Sequence, residues 1–170
     1  IRILVLGGSL GAQRLNEVLP ETLALFDNIE VQHQSGTKMR EQVQQHYQKQ
    51  GVSAQVVAFI DDMAAAYNWA DVVICRAGAM TVSEVAAAGV PSILVPYPYA
   101  IDDHQTKNAE YLVSAGAGVM IQQTELTVEY LEKQIKSVIA NLESMAQSAI
   151  DCAKLDATEC VATKCIERSL

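Results

Sequence analysis

Two patterns of apolar residues alternate along the first 122 positions. Short runs rich in Val and Ile recur at "IRILVLG", "IEVQHQSG", "AQVVAFI", "DVVICR" and "PSILVPY", and more faintly at "GVMIQ". The first, fourth and fifth runs are almost continuously apolar, as strands covered on both faces must be. Between the runs, apolar positions take helical spacing: Leu15, Val18, Leu19, Leu23 and Phe26, then Met39, Val43 and Tyr47, and later Ala109, Leu112 and Val113. Pro20 is expected to break or restart the first helix, and Gly116 to stop the third of these. After residue 124 the alternation ceases. Val128, Leu131, Ile135, Val138, Ile139 and Leu142 form an amphipathic stripe opened by Thr127 as a cap, and Asp156 and Glu159 open a last helix in capping-box spacing. The pattern predicts an α/β domain spanning 1–170: an open parallel sheet of about six strands with helices on both faces, including C-terminal helices from about 127. In such sheets ligands bind beyond the carboxyl ends of the strands.

Composition narrows the partners. The 170 residues are 50% apolar and 19% charged, enough for one domain with a core. A formal charge of −8 argues against nucleic acid as the main ligand, because that affinity rests on Lys and Arg. It also argues against a polybasic membrane anchor in this portion. The longest apolar stretch is interrupted by Gly89, Pro91, Pro96 and Pro98, well short of a bilayer span. Cys75, Cys152, Cys160 and Cys165 form no C-x-x-C pair, which disfavours zinc and a disulfide framework and favours a reducing cytosol. The chain opens at Ile1, inside a strand, with no initiating Met and no signal-peptide pattern. A further segment is expected to precede it.

Chemistry concentrates at four strand ends: "GGSLGA", "FIDDM", "CRAGAMTVSE" and "PYPYAIDDHQTKNA". Gly7, Ser9 and Gly11 spell the nucleophile elbow of serine hydrolases, and Asp61 or Asp62 and His104 follow in hydrolase order. A hydrolase, however, has no use for a second glycine turn at Gly78 leading into a helix near Met80 or Thr81. That helix start is an anion site, with exposed N–H groups and the positive end of the dipole. Glu84 lies one turn further in, where a carboxylate can accept from the two hydroxyls of a ribose, or merely complement the helix dipole. The dinucleotide fingerprint fails, since Gln34 and Ser35 stand where an acid is required, and no G-K-[ST] is present. Capping is the expected role of Asp61, Asp62, Asp102 and Asp103; a metal at Asp102, Asp103 and His104 is disfavoured, because adjacent residues seldom converge on one ion. Gln105 suits sugar hydroxyls or plain solvent exposure, and Arg76 suits a phosphate or a structural ion pair.

Together "GGSLGAQRLNEVLP", "HQSG", the run from "FIDDM" to "DDHQTKNA" and the closing "DATE" resemble the C-terminal half of the MurG family of bacterial N-acetylglucosaminyltransferases. The resemblance implies the donor domain of a two-domain GT-B enzyme, holding UDP-N-acetylglucosamine. An N-terminal acceptor domain, absent here, carries the lipid-linked muramyl-pentapeptide site, the surface facing the cytoplasmic side of the inner membrane, and the general base. By motif position Ile60 meets the uracil, Glu84 the ribose, and Ala79, Met80 and Thr81, continued by Val82 and Ser83, the diphosphate. Ser9 approaches that diphosphate as a hydrogen-bond donor. Gln105 contacts the sugar, with His104 beside it where some relatives carry a second Gln. Gly8, Arg76 and Asn108 complete the outer site. The implied reaction is inverting, needs no dedicated metal or cofactor, and has no catalytic residue in this chain. Rival readings are a binding module that holds a UDP-sugar without turning it over, the donor subunit of a dolichol-linked transferase, and a UDP-sugar epimerase. Acceptor-dependent UDP release separates transferase from epimerase.

Overall fold

The structure, a computed structural model, describes residues 1–8 and 12–167. Six strands form one parallel sheet: β1 (Arg2–Leu6), β2 (Glu30–Gln34), β3 (Ala54–Val57), β4 (Val72–Cys75), β5 (Ser92–Leu94) and β6 (Gly118–Met120), in the order β3-β2-β1-β4-β5-β6. All six expected strands are present, each shorter than its apolar run; β3 and β6 lose residues only at the C-terminal end. β1 and β4 are central, which is why they read as unbroken apolar runs. Alternate side chains of β1 feed different cores. Ile3 and Val5 join a cluster with helices α1 (Gln13–Leu23), α2 (Arg40–Lys49) and α6 (Val128–Ile139). Leu4 and Leu6 join the opposite cluster with α3 (Met63–Trp69), α4 (Ala79–Ala88), α5 (His104–Ser114) and α7 (Leu142–Cys152). A last helix, α8 (Ala157–Glu167), buries none of its described side chains.

Several helix ends follow the expected chemistry. Asp62 caps α3 by accepting from the Ala65 N–H at 2.9 Å, and Thr127 caps α6 by accepting from the Tyr130 N–H at 3.2 Å. Gly116 takes a left-handed φ of 77° just beyond α5, a conformation that stops a helix and favours glycine. Four expectations are corrected. Pro20 lies inside α1 without breaking it. Its missing N–H forfeits one bond, but Leu15, Val18, Leu19 and Leu23 all pack into the core, and that burial outweighs a local cost of about 3 kcal/mol. The same helix stops at Leu23 rather than reaching Phe26, which packs on the core from the following turn. The stripe from Val128 to Leu142 is split between α6 and α7 by Ala140 and Asn141. Asp103 heads α5, yet its carboxylate makes no backbone cap; with φ of 51° it accepts instead from the Thr106 hydroxyl at 2.7 Å.

Candidate functional site

The chain leaves β1 toward β2 on one side, then crosses under the sheet to place β4 on the other. Strand ends diverge at such a reversal and open a crevice above it. A cleft of about 970 Å³ lies there, lined by Gly7 and Gly8 from the end of β1, Gln34 from β2, Phe59 from the loop after β3 and Arg76 and Gly78 from the end of β4. Gly8 has φ of 78°, a backbone state that a side chain would strain. Ser9 lies outside the described residues.

The opposite wall is the start of α4. Gly78 occupies the N-cap position and has no side chain to offer the helix. Val82 N–H donates to Gly78 O at 2.9 Å, closing the first helical bond. Helical geometry therefore leaves the N–H groups of Ala79, Met80 and Thr81 without an intrahelical acceptor. The dipole of a ten-residue helix adds to them a partial positive charge. Around this helix, Thr81 and Glu84 sit three apart on the face that lines the cleft, while Val82 and Val85 turn into the core. Ser83 is exposed and its hydroxyl donates back to Ala79 O at 3.0 Å; Met80 is 74% exposed. The 79–83 segment thus offers backbone N–H groups at 79–81 and one hydroxyl, that of Thr81, to an anion in the cleft.

Glu84 is half-buried, and its Oε2 accepts from the Tyr67 hydroxyl at 3.0 Å. Burial first, and then this carboxylate, pushes the Tyr67 hydroxyl above its ordinary range, so it remains a donor. Ile60 lies in the loop between β3 and α3, packed against the α3–α7 core. On the far wall Gln105 accepts from the Tyr97 N–H through Oε1 at 2.9 Å. This bond fixes the amide and leaves its N–H₂ end for the cleft. His104 is exposed at the first position of α5. Asn108 donates from Nδ2 to Ala77 O at 3.0 Å, tying α5 to the turn before α4.

Arg76 lines the cleft, but the oxygens that hold it are carbonyls and an amide rather than the carboxylate of an ion pair. Its guanidinium donates to Val95 O at 3.1 Å, Pro96 O at 3.2 Å and Gln123 Oε1 at 2.6 Å, and stacks 5.6 Å from the centre of the Tyr97 ring. It braces three loops along the cleft edge, and burial lowers its pKa. Tyr67, Phe59, Tyr97, Tyr99, Gln123, Arg14 and Lys38 also line the cleft, and sequence reasoning missed them as site residues. For Tyr67 a signal existed: in "MAAAYNW" the tyrosine is on the buried face, where a phenol must find a partner. Among the described residues, no three His, Cys, Asp or Glu side chains gather as metal ligands do, and no helix is long and apolar enough to cross a membrane.

Residues 2–163 match the glycosyltransferase family 28 C-terminal domain. UDP-N-acetylglucosamine--N-acetylmuramyl-(pentapeptide) pyrophosphoryl-undecaprenol N-acetylglucosamine transferases are similar to it: that of Dechloromonas aromatica is 51% identical over 98% of this chain and 48% of its own length, and that of Methylococcus capsulatus 50% identical over 98% and 49%. The chain thus spans about half the length of these relatives. The crystal structure of Acinetobacter baumannii MurG superposes with a TM-score of 0.90 at 43% identity, covering 95% of this chain and 50% of that one. A UDP-GlcNAc 2-epimerase from Neisseria meningitidis shares the fold at a TM-score of 0.66 and 10% identity, over 98% of this chain and 44% of its own. With its parallel sheet, its glycine turns at β1 and β4 and a match running through residues 2–163, the chain belongs to glycosyltransferase family 28, as the C-terminal domain of that family.

Proposed function

We propose that this chain binds UDP-N-acetylglucosamine and forms the donor half of an inverting transferase, one that adds N-acetylglucosamine to a lipid-linked muramyl-pentapeptide in peptidoglycan synthesis. One observation carries the reading: the uncapped start of α4 opens on the crevice between β1 and β4, with the Glu84 carboxylate one turn behind it. An anion at the mouth and a hydroxyl pair beside it describe a ribose diphosphate. In this reading the diphosphate takes the N–H groups of residues 79–81, and the ribose takes Glu84. The uracil meets the backbone near Ile60, and the sugar meets Gln105. The names of the relatives, whose reaction is this transfer, support the same assignment.

The chemistry follows from where charge moves. As the acceptor's 4-hydroxyl attacks the anomeric carbon, the bond to the diphosphate breaks and negative charge grows on the departing UDP. Neutral donors and a helix dipole already aimed at that position stabilise the transition state more than the ground state. They do so without a resident metal. The acceptor site, the general base and contact with the cytoplasmic face of the inner membrane are assigned to the part of the enzyme outside this chain. Isothermal titration with UDP-N-acetylglucosamine, UDP-glucose and GDP-mannose tests the reading. The first should bind best and the guanosine sugar hardly at all; failure to bind any uridine nucleotide would overturn it.

A further inference from the structure

Glu84 does not stand alone in the cleft. Its partner, Tyr67, is on α3, with a side chain only 5% exposed and packed in the same core as Val82, Val85 and Ala86. The ring is thus held by packing, while the hydroxyl reaches the cleft wall and donates to Glu84 Oε2 at 3.0 Å. We infer that Tyr67 is a positioning residue for ribose recognition: its buried ring and 3.0 Å hydrogen bond hold the Glu84 carboxylate aimed into the cleft, an inference that rests on the uridine diphosphate site proposed above.

A glutamate side chain has several rotatable bonds, and a ligand that must immobilise them loses affinity to the ordering. Tyr67 orders them beforehand. A carboxylate offers about four lone-pair directions; the phenol takes one, on Oε2, and leaves Oε1 and the remainder for a pair of hydroxyls. The phenol stays protonated in this buried setting, so the carboxylate keeps its partner. The same short helix is capped by Asp62, two residues beyond Ile60. α3 therefore links the loop assigned to the base with the carboxylate assigned to the ribose.

A tyrosine that merely fills the core would affect stability and leave ligand selectivity alone. The test titrates UDP and 2′,3′-dideoxy-UDP against this chain, Tyr67→Phe, Glu84→Ala and the double variant, with thermal melts of each. The unmodified chain should prefer UDP by about ten- to a hundredfold, the range expected for charge-assisted hydrogen bonds. Tyr67→Phe should cut that preference by about three- to tenfold, through weaker UDP binding with the dideoxy compound unchanged. In the double variant the preference should fall no lower than in Glu84→Ala alone, since the phenol acts only through that carboxylate. If Tyr67→Phe folds poorly, Tyr67→Met fills the same space with an adaptable side chain and no hydroxyl. A full preference in a folded Tyr67→Phe or Tyr67→Met, or an equal loss for both ligands, overturns the positioning role while Glu84 keeps its own. No preference in the unmodified chain overturns the ribose reading, and the positioning role with it.

Discussion

His33 is wholly buried between two helices, and every polar atom of its ring is used. Asn16 Nδ2 donates to Ser35 O, so Asn16 Oδ1 is left to accept from His33 Nε2 at 2.9 Å; the Tyr47 hydroxyl then donates to Nδ1 at 3.0 Å. The neutral ring is satisfied and a second proton is not, and burial lowers the pKa from 6.5 to about 3. Above pH 6.5 both folded and unfolded chains hold a neutral His33, and its contribution is fully present. As pH falls, the unfolded chain takes a proton that the folded one refuses, so stability declines by up to about 1.4 kcal/mol per pH unit. Between pH 7 and pH 5 the loss should be about 2 kcal/mol. Urea denaturation across that interval checks it, and His33→Gln, which keeps a donor and an acceptor, should flatten the slope. An unchanged slope in that variant would assign the acid sensitivity elsewhere. In the sequence His33 is one letter of "HQSG"; its burial depends on α1 and α2 sharing one face of the sheet.

At the scale of elements, the faint strand β6 is held to β5 by an unusually close pair. Ser92 and Gly118 are register partners, and a Cβ added at Gly118 would lie 2.6 Å from Ser92 Oγ and 3.0 Å from Ser92 O. Among the described residues Ser92 Oγ is also buried without a hydrogen-bond partner. Gly118→Ala should therefore cost about 1–3 kcal/mol by overpacking. Ser92→Ala, which removes an unsatisfied hydroxyl, should stabilise by about 1 kcal/mol. The double variant should recover only part of the loss, because the carbonyl contact remains. Denaturant titration of the three variants measures this; a neutral Gly118→Ala would mean that the edge of the sheet yields. Glycine at the start of "GVMIQ" reads as a weak strand in sequence, since it hides the close approach that requires it. Pro20 shows the reverse. Its local rule is plain in the sequence, but a helix with four core-facing side chains is decided by what it packs against.

For the whole molecule, a core on each face of one sheet holds the crevice together without help from another domain, so the proposed donor binding is expected of this chain alone. A nucleotide sugar at a hundred times its Kd should raise stability by about 2.7 kcal/mol, by mass action on the folded state alone. Thermal melts with UDP-N-acetylglucosamine should show that rise, while the chain on its own releases no UDP in the presence of a lipid-linked acceptor. Turnover by this chain would undo the proposed division between donor and acceptor halves. What the sequence alone determined was the set of elements and the places where chemistry gathers: six apolar runs with helices between them, and glycine turns at Gly7, Gly8 and Gly78. These are local signals, written in spacing and in residues that few backbone states accept. The tertiary structure alone decided which strands became neighbours, and so that the β1 and β4 turns face one crevice. It also decided that Arg76 braces loops through carbonyl oxygens, and that Tyr67, on a different helix, meets Glu84. Such contacts join residues far apart along the chain, and no periodicity records them; packing brings them together.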